Sequence, residues 1–377
     1  MPISDVGLQV PPRHSPGSAK GENSVLLRFS YTAIGLSAFL LTCLGLRAVL
    51  PFPEIDEVTQ KLRFFAAHKD DFDTIFIGSS RIYHQISPTV FDQVMRENEI
   101  PTRTFNFGVD GMHLPESAYV LERVLATRPR ILKYVFIELG ELQTKWPHEI
   151  EGSRRALYWH DWRRTSLVLR KILGAGTHLL WLPNLKKIRD IILPRKGGLE
   201  TRDLVVFHTA QFEKNFTNIG RASDLSACLS QLYKKEPGRT QPGPGGDGYL
   251  PVSRVMSAEQ TATYERALAL ALSQARSKSV SPHTEKVCLQ CSKEIRSFGA
   301  MPVFLVTPTT TQSKLGFSGN FGSPGTVISF NDARLYPNFY RKGVRVDQEH
   351  MDGVGAEEFT QLLAEKFAQL IWEGRIK

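Results

Sequence analysis

Two hydroxyls, Ser79 and Ser80, follow the apolar run Asp73-Thr74-Ile75-Phe76-Ile77-Gly78. A serine becomes a nucleophile when a nearby base takes its proton. The chain has ten histidines, and one carries its own carboxylate. In Val346-Asp347-Gln348-Glu349-His350-Met351, Asp347 and His350 are three residues apart. In a turn opening a helix, that spacing brings both side chains to one side. The carboxylate then orients the imidazole and leaves the other ring nitrogen as a base. Serine, histidine and aspartate together point to acyl transfer through a covalent intermediate.

Other side chains near these motifs invite weighing. Arg81 either binds an anionic group beside the serines or pairs with an acid. His84 is expected to point away from the site if a helix begins at Ser87, and His113 to line a pocket. Asp110 is a turn former first. Tyr249 and Trp159 are of a type that stacks on sugar rings, or that fills a local core.

Elements must bring Ser79 or Ser80 to His350 across most of the chain. Ile75, Phe76 and Ile77 suit a strand buried on both faces, as in a parallel sheet covered by helices. Gly78 permits a sharp turn, at the carboxyl end where open α/β sheets place ligand sites. Helical spacing follows over residues 88–99, a strand over 104–108 and an amphipathic helix over 117–126. A third strand spans 133–139. This rhythm predicts a parallel sheet with crossover helices. Helices over 258–276 and 284–298, a strand over 302–308 and a helix over 355–372 complete it. Residues 141–252 break the rhythm and read as a mainly helical insertion, with helices over 159–172 and 179–193 and a Pro/Gly-rich loop at 237–248.

Residues 1–24 are Pro/Gly/Ser-rich and expected to be a disordered cytoplasmic tail. Residues 29–46 carry no charge and lie between Arg28 and Arg47, so residues 25–50 are expected to form a transmembrane anchor. Arg13, Lys20 and Arg28 favour a cytoplasmic N-terminus, with residues 51–377 in the periplasm or exterior; a cleaved signal peptide is the rival. The net charge of +9 suits a neighbouring anionic membrane or polymer, or a solvated surface. No nucleic-acid fold signature is present, and the chain holds neither a phosphate-cradling glycine loop nor a ligand cluster, so no cofactor and no metal are expected. Cys288-Leu-Gln-Cys291 lacks the second pair of a zinc site and is expected to be a packed pair, or a disulfide in an oxidising compartment.

In combination, these motifs resemble the SGNH (GDSL-like) esterase and acyltransferase superfamily. The resemblance is to its membrane-anchored branch, near polysaccharide O-acetyltransferases and D-alanine-transfer proteins. It covers residues 70–140 and 300–372. In Gly78-Ser79-Ser80 the family's nucleophile maps to Ser80, with Ser79 where an aspartate is common. Asn106-Phe107-Gly108 followed by Gly111 resembles the second block. Asp347 and His350 match the last. The resemblance implies a flavodoxin-like three-layer α/β/α sandwich. It also implies catalysis by Ser80, His350 and Asp347, with the amides of Ser80 and Gly108 as the oxyanion hole. Ser79, Arg81, Asn106, His113 and Gln143 would then line the substrate pocket. The chain departs from the family after the third strand, where Glu138-Leu139-Gly140-Glu141-Leu142-Gln143 has no asparagine; Gln143 is the candidate substitute donor.

The implied activity is that of a membrane-anchored serine acyl esterase or O-acyltransferase. The acceptor would be a cell-envelope or secreted glycan, with an anionic one among the options, and a membrane protein could supply the acyl group. The alternatives are a catalytically inactive module of the same type that binds glycan or scaffolds an envelope complex, and an anchored protein whose basic insertion binds anionic lipid.

Overall fold

The computed structural model describes residues 19–49, 52–146, 148–174, 198–217, 242–273, 278–311 and 315–376. Its centre is a five-stranded parallel sheet built from β1 (Thr74–Gly78), β2 (Thr104–Gly108), β3 (Tyr134–Glu138), β4 (Met301–Val306) and β5 (Thr326–Ser329). The spatial order is β2-β1-β3-β4-β5. That is the doubly wound order whose topological switch lies between β1 and β3, where ligand crevices form. The register sets Gly78 beside Gly108 and Ile77 beside Ile137, so these three strands end almost level.

Side-chain alternation divides the core between the two faces. On one face Ile75, Ile77, Phe105, Phe107, Val135 and Ile137 pack with residues of helices Asp56–His68, Leu114–Ala126 and Pro282–Phe298. On the other, Phe76, Phe136, Val303 and Leu305 pack with Phe91 of Pro88–Glu97 and with Phe359, Leu363 and Phe367 of Gly353–Trp372. Two covered faces explain why the strands are apolar without interruption.

Several elements differ from the sequence expectation. A six-residue helix, α1 (Ser80–Gln85), occupies what reads as a loop before Ser87. It is too short to show an apolar period, and Pro88 draws attention to the helix after it. Strand β5 lies just beyond a Gly/Ser/Asn-rich stretch, and its four residues are too few to stand out from that loop in the sequence. The N-terminal helix begins at Ala19 and runs to Val49, so residues 19–24, expected to be disordered, are helical. Residues 1–18 lie outside the described residues.

Within that helix, Leu27–Leu46 is long and apolar enough to cross a membrane, and is almost wholly exposed. Near its end Cys43 is buried, and its thiol donates to the Thr217 carbonyl (3.2 Å) at the end of helix Gly198–Thr217.

Within the insertion the described helices are His148–Glu151, Arg155–Tyr158, Trp162–Ile172 and Gly198–Thr217, and residues 242–252 are turns and irregular chain. The helix expected over 179–193 and the fourth cysteine, Cys228, lie outside the described residues. Its Trp159 is fully buried and stacks between Trp146 and His160, so it belongs to the core and offers no sugar platform. The final part of the insertion returns along the sheet end: the Asp247 carbonyl accepts from the Asn106 amide (2.8 Å) and Leu250 N donates to the Tyr83 carbonyl (3.2 Å). Cys288 and Cys291 are buried thiols with no disulfide. Burial raises both pKa values, Cys291 to about 12, which makes them inert packing.

Candidate active site

Ser80, 270 positions from His350, donates its hydroxyl proton towards His350 Nε2 at 2.7 Å. On the other side of the ring, Nδ1 lies 2.8 Å from Asp347 Oδ2 and 3.0 Å from Oδ1. The carboxylate fixes the tautomer: Nδ1 carries the proton, and Nε2 accepts from the serine. Asp347 is itself set by two backbone donors, the amides of Glu349 and His350, both 2.7 Å from Oδ1. Burial would raise its pKa, but the bond to His350 and these amides outweigh it and hold the pKa down to about 2. The carboxylate is therefore ionised throughout the physiological range.

The loop carrying the pair is fixed from beneath by Arg345, which is almost fully buried. Its guanidinium donates to the carbonyls of Gln348 (2.7 Å), Asp347 (3.3 Å) and Pro308 (3.3 Å). The Gln85 side chain, at the end of α1, donates to the Glu349 carbonyl at 2.8 Å. The helix bearing Ser80 and the loop bearing His350 are thus joined directly.

Ser80 is the first residue of α1, and Ser79 is its N-cap, accepting from Arg81 N at 3.3 Å. The turn is held by a residue absent from the sequence expectation, Glu138 at the end of β3. One of its oxygens accepts from Ser79 N (2.6 Å) and the other from Arg81 Nε (2.7 Å). A Cβ on Gly78 would come within 2.4 Å of Ile82 and 2.6 Å of Glu138 Cβ, which explains the glycine at this position. The one sequence signal for Glu138 is an acid closing an otherwise apolar strand.

Two expected roles are corrected. The Gly108 amide donates to Asn106 Oδ1 at 2.7 Å, so it is already engaged within the protein. Asn106 is fully buried, and its Nδ2 donates to the Ile82 and Ile86 carbonyls at 2.7 and 2.8 Å. It fastens α1 to β2 and does not line the pocket. Gly108 is there because the Tyr83 backbone passes 2.1 Å from where its Cβ would stand.

A second candidate for an amide donor lies three residues beyond Gly108. Gly111 has φ +63, a left-handed conformation that favours glycine. It lines the cleft with Ser80. The amides of Ser80 and Gly111 have no hydrogen-bond partner among the described residues.

That cleft, about 230 Å³, is lined by Ser79, Ser80, Arg81, His113 and Gln143 among others. Gln143 is exposed and lies beyond β3. His113 presents an Nε2 with no partner among the described residues; burial, then the nearby Arg155 and Arg81 charges, lower its pKa to about 4, so it is a neutral imidazole. His84 does not point away. Its ring bridges the Leu250 carbonyl (Nδ1, 2.7 Å) and Asp110 Oδ1 (Nε2, 2.9 Å), edge-on to His350. Both partners are acceptors. Burial alone would lower its pKa, and the two bonds outweigh this and raise it. With both nitrogens engaged, His84 is no base.

Among the described residues no group of three His, Cys, Asp or Glu side chains is placed to hold a metal ion. Chemically, the site offers an activated hydroxyl, a polarised base and two backbone donors beside a small cleft. Compared with protein-family models and with curated proteins, the chain shows no match.

Proposed function

We propose that this chain is a serine acyl esterase or O-acyltransferase, of the SGNH type that its motifs resemble. The observation that carries the reading is the continuous relay Ser80–His350–Asp347. In the first step Ser80 Oγ bonds to the acyl carbon while its proton passes to His350 Nε2. The amides of Ser80 and Gly111 hold the negative oxygen that develops. The bond to the leaving oxygen then breaks, and that oxygen takes the proton from His350. Water or a sugar hydroxyl next gives its proton to His350 and attacks the acyl-serine, which releases Ser80 with its proton restored. The 2.7 Å serine–histidine contact favours this reading over an inactive glycan-binding module.

The N-terminal apolar helix supports a single-pass anchor in the cell membrane with the catalytic domain outside the cytoplasm. Its basic flank favours that orientation. An envelope or secreted polysaccharide is then the acceptor within reach, and the net charge of +9 suits an anionic one. The test is turnover of a chromogenic acetyl ester by the full chain in detergent. Ser80→Ala and His350→Ala should each abolish it, and activity surviving both substitutions would refute the mechanism.

A further inference from the structure

We propose that Arg155, with Glu116, is a positioning pair that aims the Gly111 amide into the oxyanion hole, so that the insertion supplies part of the catalytic geometry. The proposal rests on the serine mechanism above.

Arg155 opens the short insertion helix Arg155–Tyr158, and its Nη1 donates to the Asp110 carbonyl. That carbonyl belongs to the same peptide unit as the Gly111 N–H. In a trans peptide the two point in opposite directions. A donor fixed on the carbonyl therefore fixes where the N–H points, and a cation there also strengthens the N–H as a donor. Gly111 is at a left-handed φ, which glycine adopts as readily as many others, so its own backbone does not fix this peptide's orientation.

The arginine is itself held on both sides. Its Nε and Nη2 donate to the two oxygens of Glu116 at 2.8 and 2.9 Å, and Tyr158 OH donates to the same carboxylate. Glu116 is fully buried in the first turn of helix Leu114–Ala126. Such a bidentate pair has one geometry, which a lysine would not reproduce. The same loop is tied elsewhere too. Lys61 Nζ donates to the Gly108 carbonyl at 2.6 Å, and His84 holds the Asp110 side chain. These fix the loop's start and its side chain. Among the described residues, Arg155 alone donates to the carbonyl of the peptide that ends in the Gly111 amide.

The test compares an oxygen ester, p-nitrophenyl acetate, with its thiono analogue, in which sulfur replaces the carbonyl oxygen. A thiono sulfur is a poor hydrogen-bond acceptor, so an oxyanion hole favours the oxygen ester. In Arg155→Met, kcat for the oxygen ester should fall about 10- to 100-fold with KM little changed. That is less than the roughly 100- to 1,000-fold typical of deleting a donor outright. The thiono rate should hold, so the oxygen-to-sulfur rate ratio collapses. Arg155→Met leaves Glu116 buried and unpaired, which endangers folding. The double variant Arg155→Met with Glu116→Gln removes that charge and should show the same collapse. Arg163→Met, an insertion arginine paired with Glu294, should leave the ratio unchanged. Equal losses on both esters, or no loss, would overturn the proposal alone. A wild-type chain that neither turns over ester nor is labelled at Ser80 by a fluorophosphonate would overturn the serine reading, and this one with it.

Discussion

The two halves of the candidate site are built in different ways. The proton-relay half consists of side chains on short segments, and each member is set by its immediate neighbours: Asp347 by two amides within three residues, Ser80 by its own N-cap. The proposed oxyanion half consists of backbone amides. Their surroundings are fixed from afar: Arg155 holds the Asp110 carbonyl of the Gly111 peptide, while Glu138 and Lys61 hold the flanking turns at Ser79 and Gly108. The lesson is that a nucleophile and its base are specified by residue type. An anion-binding loop is specified by what grips its carbonyls. Substitutions should therefore act differently in the two halves, chemistry failing in the first and geometry or stability in the second.

The largest effect belongs to the relay. His350→Ala should lower kcat for an acetyl ester by about 10⁴-fold or more, with the thermal midpoint nearly unchanged, since the ring is partly exposed. Steady-state kinetics and a melting curve check both. On the oxyanion side, Glu138→Ala leaves the buried Arg81 without its main counter-charge and Ser79 N without its acceptor. A loss of about 3–5 kcal/mol of stability is expected, measured by denaturant unfolding. If Glu138→Ala instead kept its stability and lost only activity, the two halves would be alike after all.

Smaller effects separate the halves by pH. Lys61 is buried, and desolvation lowers its pKa from 10.5 to about 7, against the attraction of Glu57, Asp110 and Asp247. Between pH 7 and 10.5 the unfolded chain binds a proton that the folded chain does not, so stability rises with pH across that window. Lys61→Met should flatten this slope. Asp347 gives the opposite window. Its folded pKa of about 2 lies below the ordinary 3.8, so its contribution is complete above pH 4 and is lost as pH falls towards 2. Asp347→Asn should remove that acid-side loss, a modest effect because the carboxylate is partly exposed. Unfolding midpoints across pH resolve both.

The same contrast governs what could be read from the sequence. The strands were legible because continuous apolar runs suit a sheet covered on both faces. Asp347 and His350 were legible because three residues separate them. Arg81 and Ser79 were placed near the serine by adjacency alone. Gly108 was misread as the oxyanion donor. A glycine ending a strand looks the same whether its amide is available or bonded to Asn106, and only the tertiary approach of Tyr83 shows why it is glycine. Gly111 was noticed as a motif position but not as a donor, since an amide leaves no mark in a sequence. Glu138 and Arg155 were invisible as site residues because their partners are 59 and 45 positions away. Helix Ser80–Gln85 was missed for want of length.

The central claim is that His350 makes Ser80 a nucleophile, and covalent labelling tests it most directly. The full chain is treated with a fluorophosphonate at neutral pH, digested, and the adduct located by mass spectrometry. A single adduct on Ser80 is predicted, absent in Ser80→Ala and formed far more slowly in His350→Ala. An unlabelled Ser80 in the folded wild-type chain, or labelling at the same rate without His350, would contradict the account.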